Sequence, residues 1–395
     1  METLTLTQQT FEDFLSTRQE PEWLKEYRRN NFEAFSASKL PQSLYTNLPA
    51  VEKLLNVPKE KQSSYLFSCS QELKRKGLIA VELSEALKFH ESALRNFLEK
   101  EIVSHDKFEL FANAFFTEGY FVFVPKGIGQ KETIAIDAKI HGKEMNALKS
   151  VVAIEEQSNA VVLEKINAEH ASNLNAYSSS IFLGQASDLD YFNYCDLNND
   201  LTHISSKRIF QERDSKLNSF YAWFGGRQTL SRIKNHLKGQ GAELLHSEMA
   251  FGKNKEHYDF NSDIFHEVPE TTGKITFKAV LDDFSSSIFD GMIKIYKNAQ
   301  VTNSFLEAHS ILLSKNSSSN NIPGLEIEAN DVRATHSASV HKIDDEQLFY
   351  LNSRGIPPKE AEKMIVLSFF EALTNRIKEE GLREIFNNKL EEKYK

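Results

Sequence analysis

The feature that most constrains the fold is a long series of short, strand-like runs that contains no proline between Pro125 and Pro269. Proline lacks the N–H group that a strand donates to its neighbour, so its absence over such a length favours continuously paired strands. Apolar side chains alternate along residues 133–140, which is the period of an extended strand. The later runs are separated mostly by the turn-forming residues Asn, Asp, Gly and Ser and by Lys, and they begin at Val151, Ala160, Ser179, Leu189, His203, Leu217, Gly241, His257, Gly273 and Gly291.

Three all-β architectures fit such a series: a sandwich, a barrel and a solenoid of stacked short strands. Helical spacing is hard to find across the region, and the strands show short polar corners without a strict period. This pattern favours an irregular β-helix over a propeller. We therefore predict a mainly β fold with a β-helix core over residues 116–342.

The residues before this core have the spacing of helices. Apolar residues recur at three- and four-residue intervals over 83–98 and again over 108–116, which places them on one helix face. His90 falls on the first of these faces, where a hydrogen-bonded structural histidine is expected. Gly119 follows at a position suited to a helix end, because glycine tolerates the left-handed conformation. We predict an N-terminal helical domain over residues 1–115.

A third region, residues 343–395, again has helical signals. Asp344 and Gln347 have the spacing of a capping box at a helix N-terminus. Gly355 suits the end of that helix, and the Pro-Pro pair that follows prevents continuation but suits the start of another helix. The predicted order is therefore helices, many strands, then helices.

Composition narrows the classes of function. The chain has 395 residues, 40% hydrophobic and 26% charged, as in ordinary globular proteins. Its 56 acidic residues outnumber its 47 basic residues and give a formal net charge of -9, so we expect no nucleic-acid partner. Two cysteines are too few for a disulfide framework or a thiolate zinc site. The N-terminus lacks the pattern of a secretory signal and no segment is apolar enough to span a membrane, so we expect a soluble, cytoplasmic protein.

Motifs for nucleotide hydrolysis and for hydrolase chemistry are absent from the sequence. The nearest fragment of a P-loop, a Gly-Lys pair at Gly273, lacks the other required residues, so we expect the chain to bind no nucleotide. Neither G-x-S-x-G, H-E-x-x-H nor G-x-G-x-x-G is present. Cys195 is interpreted as a small buried hydrophobe, with a redox role left open. His246, His257 and His266 show no ligand spacing.

The run PGLEIEANDVRATHSASVHKIDDEQLFYLNSRGI, from Pro323 to Ile356, resembles the C-terminal signature of the SufB/SufD family of iron–sulfur cluster assembly proteins. That signature is approximately P-x-L-E-I-x-A-x-D-V-x-C-x-H-G-A-T-V-G, followed by an acidic L-F-Y-L-x-S-R-G-I helix. Stretches that begin at Glu20, Asn113 and Phe289 are similar to the family's N-terminal helix, its first strands and its penultimate β-helix turns. The modest length and the lack of a cysteine-rich N-terminal region make the chain most similar to the SufD branch. The positions shared with the signature are Leu325, Glu326, Ile327, Ala329, Asp331, Val332, His336, Ala338, Val340, Asp345, Glu346, Leu348, Phe349, Tyr350, Leu351, Ser353, Arg354, Gly355 and Ile356.

The resemblance implies a right-handed parallel β-helix flanked by N-terminal and C-terminal helical domains. It also implies a non-enzymatic scaffold subunit that pairs with a SufB-like partner along the β-helix edge, with a homodimer as an alternative when the chain is alone. Residues around 344–380 would dock a SufC-like ABC-type ATPase. Dimerisation of that ATPase on ATP would then shift the scaffold subunits and expose the interface at which a cluster forms.

The resemblance places His336 at the family position implicated in holding iron or the nascent cluster, transiently and together with the partner. Ala334 stands where the family has cysteine and Ser337 where it has glycine, so the sulfur ligands would come from the partner. His341, which replaces a family glycine, is a lesser candidate. Two alternatives stay open: a purely structural subunit in which His336 is chemically idle, and a β-helix enzyme that acts on polysaccharide.

Overall fold

The core of the molecule is a parallel β-solenoid in which the chain coils through two stacked sheets. The computed structural model describes residues 6–41, 43, 45–58, 63–129, 131–141, 145–168 and 173–394. The strands are β1 Ser63–Ser68, β2 Ile79–Glu82, β3 Glu118–Val124, β4 Thr133–Ile140, β5 Asn146–Ile154, β6 Asn159–Ala168, β7 Leu174–Leu183, β8 Asp188–Leu197, β9 Thr202–Gln211, β10 Lys216–Gly225, β11 Gln228–Leu237, β12 Glu243–Gly252, β13 His257–His266, β14 Thr272–Leu281, β15 Ser286–Ile295, β16 Thr302–Leu312, β17 Ser318–Ile327 and β18 Val332–Lys342. The helices are α1 Gln8–Ser16, α2 Glu22–Ala37, α3 Leu48–Glu52, α4 Gln71–Arg75, α5 Leu83–Phe89, α6 Glu91–Leu98, α7 Lys107–Phe115, α8 Asp345–Ser353, α9 Pro358–Thr374 and α10 Glu380–Tyr394.

Each full turn of the solenoid contributes one strand to each sheet. The even-numbered strands from β4 to β18 form one sheet, and the odd-numbered strands from β3 to β17 form the other. These strands are parallel to their neighbours, whereas β1 and β2 close the first end by pairing antiparallel with β4 and β3. The predicted mainly β fold with a parallel β-helix core and helices at both ends is confirmed.

The turns have a nearly constant length that the sequence analysis missed. Lys216 in β10 pairs with Asp188 and with Glu243, which lie 28 residues before and 27 residues after it. The expected lack of a strict period is confirmed, because the repeat varies by a few residues from turn to turn, but the approximate repeat itself was missed. The repeat is hard to see because the corners differ in length and because apolar, aromatic and charged residues alternate at the same interior position from turn to turn.

Helices cover part of the outer face of each sheet. On the even-numbered sheet, α9 and α10 bury Phe370 and Phe386 against Phe251 and Phe220. On the odd-numbered sheet, α1, α2 and α7 form a second apolar layer that includes the fully buried Phe115. Because both faces are covered in the earlier turns, every residue of β5 and β9 is buried.

The N-terminal region departs from the predicted pattern in three places. It contains the strands β1 and β2, because a two-residue period over only a few positions is easily masked by the helical spacing around it. His90 does not lie within a helix but separates α5 from α6. Gly119 does not end a helix: α7 ends at Phe115, and Gly119 lies in β3 with a φ of +149°. A Cβ at this position would come within 1.6 Å of the Lys149 carbonyl oxygen, so the glycine is needed for close backbone approach.

The C-terminal helices α8 and α9 begin and end close to the predicted positions. Asp344 caps α8, although its side chain accepts from the Glu346 N–H, one position before the residue that a capping box would use. Gly355 follows α8 with a φ of +87°, and α9 begins at Pro358. Within the described part of the chain, no helix is both long and apolar enough to cross a membrane.

Candidate functional site at the open end of the solenoid

The two ends of the solenoid differ in how they are covered. At the first end, β1 and β2 and the N-terminal helices pack against the initial turn. At the last end, β17 and β18 are the outermost strands of their sheets, and neither contains a buried residue. We call this last turn, residues 318–342, the open end. An uncovered terminal repeat is unusual, because solenoids normally shield their ends.

The register of β18 places His336 in line with the interior of the solenoid. His336 pairs with Leu306 in β16, and Leu306 is completely buried in the core. Ala334 lies on the same face of β18, where it pairs with Ser304 and packs against that core. Because no strand follows β18, the side chain of His336 is exposed although its row is an interior one. Its ring makes no hydrogen bond or ion pair with the part of the chain that the structure describes.

The strand opposite helps to hold this end together. The side-chain amide of Asn321 in β17 donates to the Ser339 carbonyl oxygen in β18 at 3.1 Å and to the Ala308 carbonyl oxygen in β16 at 3.2 Å. These bonds connect the last strands of the two sheets across the interior. The outermost strands of the open end are therefore hydrogen-bonded to each other, and His336 is exposed on the second of them.

The chemistry available here is that of one imidazole. A neutral imidazole nitrogen is a good ligand for iron, but the described residues contain no group of three His, Cys, Asp or Glu side chains that could hold a metal ion. No thiol supplements it, because Ala334 is in the neighbouring interior position. Cys195 lies far along the solenoid in β8, fully buried and hydrogen-bonded to Asn193, and burial raises the pKa of its thiol well above the ordinary value. Further ligands for iron would have to come from another molecule.

The remaining candidate histidines are in different surroundings. His341 is on the outer face of β18, since it pairs with Ile311, which packs against the C-terminal helices. Its Nδ1 lies 2.9 Å from the Lys342 carbonyl oxygen. Farther from the open end, His257 bonds to Thr46 and Ser286, and His266 bonds to Thr271 and Ser304. The structure therefore does not bring these residues together with His336.

A second exposed surface is formed by α8, none of whose residues is buried. Phe349 and Tyr350 on this helix are 75% and 56% exposed, which is unusual for two adjacent aromatic side chains. Between α8, α9 and β18 lies a cleft of about 580 Å³, lined by residues that include Ile343, Leu351 and Met364. We call α8 and this cleft the C-terminal surface.

Sequence reasoning missed the buried charges of the earlier turns. Glu164 in β6 and Lys207 in β9 form an ion pair of 3.0 Å inside the solenoid, although both are fully buried. Their only signal in the sequence is that Glu164 has the same strand phase as Val162 and Ile166. Glu101, Lys149 and Arg208 form a second buried network on the outer face.

Comparisons with known proteins show which family and which proteins this chain is similar to. A protein-family model described as "SUF system FeS cluster assembly, SufBD core domain" matches residues 138–369. The iron-sulfur cluster assembly protein SufD of Bacillus subtilis (strain 168) is 27% identical, over 99% of this chain and 99% of that protein. SufB of the same organism is 23% identical, over 94% of this chain and 90% of that protein. An iron-sulfur cluster assembly SufBD family protein of Staphylococcus epidermidis is 25% identical, over 84% of this chain and 72% of that protein.

Proposed function

Because this chain belongs to the SufBD family of SUF-system iron–sulfur cluster assembly proteins, we propose that it is a scaffold subunit, not an enzyme, on which a cluster is built together with a partner. The observation that carries the proposal is the open end, where His336 is exposed on an ordered edge. The proposal has three parts: pairing through this end, a ligand role for His336, and docking of an ATPase at the C-terminal surface. The cytoplasmic location predicted from the sequence belongs to the same proposal.

Pairing is supported by the unpaired strand edges. Each outermost strand carries N–H and C=O groups that no further strand satisfies, which makes it a template for another chain. Ile327 in β17 and Val340 in β18 add exposed apolar surface next to these edges. A SufB-like subunit with the same solenoid would continue both sheets. A second copy of this chain would serve as the partner when SufB is absent.

His336 would contribute an imidazole ligand to iron or to the growing cluster, which is cargo of the complex and not a resident cofactor. With alanine at position 334, this subunit supplies nitrogen but no sulfur to the site. The partner would therefore provide thiolates, which bind iron–sulfur clusters more strongly than imidazole does. Such an incomplete site suits transient assembly, because separation of the two subunits would release the cluster.

Docking of a SufC-like ABC-type ATPase is assigned to residues 343–395. The exposed aromatic pair on α8 is of the kind that forms the energetic centre of protein interfaces. The chain lacks a P-loop, so ATP would be bound by the docked ATPase alone. Movement of the ATPase would reach the open end through a short path, since Asp344, which caps α8, lies only two residues after the end of β18.

The test begins with purification of the tagged protein from its native cytosol without oxygen. We expect an ABC-type ATPase and a larger, cysteine-bearing paralogue to copurify. In the reconstituted complex, His336→Ala is expected to lower cluster yield by at least about tenfold, because loss of a ligand should cost no less than loss of a group that orients one. His141→Ala, at an exposed histidine that follows β4 and bonds to Ser64 near the first end, is the matched control and should assemble clusters normally.

Two outcomes would overturn the proposal in different ways. If the protein purifies without an ATPase or a paralogue, the scaffold function fails. If both partners copurify but His336→Ala forms clusters as the wild type does, the chain is a structural subunit in which His336 is idle. The family match gives no support to the polysaccharide-active alternative.

A further inference from the structure

The interior of the middle turns contains polar groups that the proposed function does not use. The buried side-chain atoms on β9 to β12 that have no hydrogen-bond partner within the described residues include Nε2 of His203, Oγ of Ser205, the hydroxyl oxygen of Tyr221, Oγ of Ser231 and Nε2 of His246. None of these five residues is more than 1% exposed. A buried polar atom without a partner has lost its bonds to water and gained nothing in return, so each such atom in a native protein needs a physical explanation.

These atoms lie on the inner faces of adjacent strands. Ser205 and Ser231 are register partners on β9 and β11 of the odd-numbered sheet. Tyr221 and His246 lie on β10 and β12 of the even-numbered sheet, with their rings 5.1 Å apart between centroids. His203 on β9 contacts Trp223 on β10, and Ser205 and Tyr221 each lie two residues from one of these rings on the same inner face, so the two pairs face the same stretch of interior.

Trp223 joins the two sides of this stretch. Its ring contacts His203 of the odd-numbered sheet, with 6.0 Å between centroids. Its indole Nε1 donates a hydrogen bond of 2.8 Å to Glu248 in β12. The unpartnered groups of both sheets therefore surround one region, bounded by the rings of Trp223 and Tyr221.

The charge of the region restricts what it can hold. Glu248 is fully buried, accepts from Trp223 and Ser262, and forms no ion pair with any lysine or arginine that the structure describes. The nearest basic atom is Nε2 of His246, which is 3.7 Å from the carboxylate and too far for a hydrogen bond. An anion would be repelled by this carboxylate, and an apolar group would leave the five atoms unsatisfied. A small neutral molecule that both donates and accepts hydrogen bonds meets every requirement.

We propose that this region is a binding site for a cluster of internal water molecules, held by Tyr221, His246 and Glu248 on one sheet and by Ser205 and Ser231 on the other. The waters would supply the missing hydrogen bonds and shield the charge of Glu248. Such a site makes the middle of the solenoid a hydrated polar chamber inside an otherwise apolar core.

The chamber is separate from the open end. The interior row that contains His246 continues through Ile275 and Leu306 to His336. Both intervening residues are completely buried and aliphatic. A continuous file of water between the chamber and His336 would have to pass this apolar layer. The proposal therefore stands or falls independently of the ligand role of His336.

The test measures internal water in the wild-type protein and in Ser205→Ala/Ser231→Ala. High-resolution crystallography should show ordered water within hydrogen-bond distance of the Tyr221 hydroxyl and His246 Nε2. Oxygen-17 relaxation dispersion should show long-lived internal water that is reduced in the double variant. Ser287→Ala is the matched control, because this interior serine is already paired with Ser319 at 2.9 Å, and its long-lived water should equal that of the wild type.

The proposal is overturned if the wild-type crystal structure shows this region filled by repacked side chains or empty of water. It is also overturned if the double variant folds and keeps all the long-lived water of the wild type. Should the double variant not fold, the wild-type crystal structure alone decides, because the positions of the waters do not depend on the substitution.

Discussion

The first turns and the last turn of the solenoid have the same backbone fold, but they differ in how many of their residues are buried. In the first turns, charged groups are buried, paired and covered by helices; in the last turn no residue of either strand is buried. A parallel β-solenoid is therefore not uniform along its axis. One part is built for stability, and the other leaves its backbone edges and a single imidazole available to a partner.

The buried charges of the first turns are stabilised by their hydrogen-bond partners. Glu164 accepts hydrogen bonds from Tyr120, Tyr177, Tyr191, Asn193 and Lys207, so its carboxylate is fully satisfied inside the core. Burial by itself would raise the pKa of Glu164, but Lys207 and the tyrosine hydroxyl groups outweigh it and hold the pKa below the ordinary value. Because these groups lie on β3, β6, β7, β8 and β9, their hydrogen bonds join both sheets of the first turns.

A second network fastens the N-terminal helices to the sheet. Glu101 pairs with Lys149 of β5 at 2.8 Å, and Glu109 of α7 pairs with Arg208 of β9 at 2.6 Å. Tyr27 of α2 donates to Glu101 at 2.7 Å. These bonds join three separate segments, so the helical cover and the first turns should unfold as one unit.

The largest effect expected from this contrast is on stability. Lys207→Met would leave the carboxylate of Glu164 buried without its cation, and we expect a loss of about 3–5 kcal/mol in the free energy of unfolding. Lys294→Met at the other end is the control, since its partner Glu326 is half exposed and water screens the pair, so its loss should change the free energy of unfolding far less. Equal losses for the two variants in chemical denaturation would refute the difference between the ends.

The second prediction concerns the C-terminal surface. Phe349→Ala should weaken binding of the docked ATPase by at least about tenfold, as expected for an aromatic residue at the centre of an interface. Phe89→Ala is a matched control, because Phe89 ends α5 near the first end and is 64% exposed, close to the 75% of Phe349. Binding measured by calorimetry should distinguish the two. Unchanged affinity of Phe349→Ala would place the ATPase elsewhere.

Sequence patterns predict the stable part of this molecule better than its reactive part. Alternating runs and turn residues located most of the core strands, because each strand is specified locally, but they missed β11 and the strands after β15. The pairing of Glu164 with Lys207 was not predictable, since the two lie in different sheets and are brought together only by the length of the intervening turns. His336 was found through its motif, but its exposure depends on the absence of a covering strand, which no local pattern reveals.

A third prediction concerns the region between the two ends, where the helical cover of the odd-numbered sheet stops. Asp263 is buried there, and its burial, opposed by Lys234 and reinforced by Asp290, raises its pKa from 3.8 to about 6. Because the folded protein binds this proton more tightly than the unfolded chain does, ionisation of Asp263 lowers stability as the pH rises from about 4 to 6. Asp263→Asn should therefore stabilise the protein by about 3 kcal/mol at pH 8.

The same argument fixes how the gain should depend on pH. Below about pH 4 the wild-type carboxyl is protonated in both states, so the advantage of Asp263→Asn should disappear. Thermal or chemical unfolding at several pH values measures this directly. An equal gain at pH 4 and pH 8 would mean that the substitution acts through packing and not through the charge.

The smallest effect is expected at Val301, in the corner that leads into β16. Its φ of +60° is costly for a β-branched residue, whereas Asn254 has a φ of +56° in an earlier corner at little cost. Val301 is 58% exposed, so Val301→Asn should raise the free energy of unfolding by about 0.5–1 kcal/mol without loss of core packing. Asn254→Val should lower it by a similar amount, which is the reciprocal control in chemical denaturation.

Val301 also tests whether strain near the open end serves association. Its N–H donates to the Asp331 carbonyl oxygen at 2.6 Å, directly before β18 begins, so this corner supports the strand that carries His336. If Val301→Asn stabilises the isolated chain but weakens pairing with the SufB-like partner, the exposed valine is retained for the interface at the expense of stability. If pairing is unchanged, the strained valine is a neutral feature of a protein that is already stable enough. The open end would then differ from the first turns only in its missing cover, and its strands and His336 alone would account for binding.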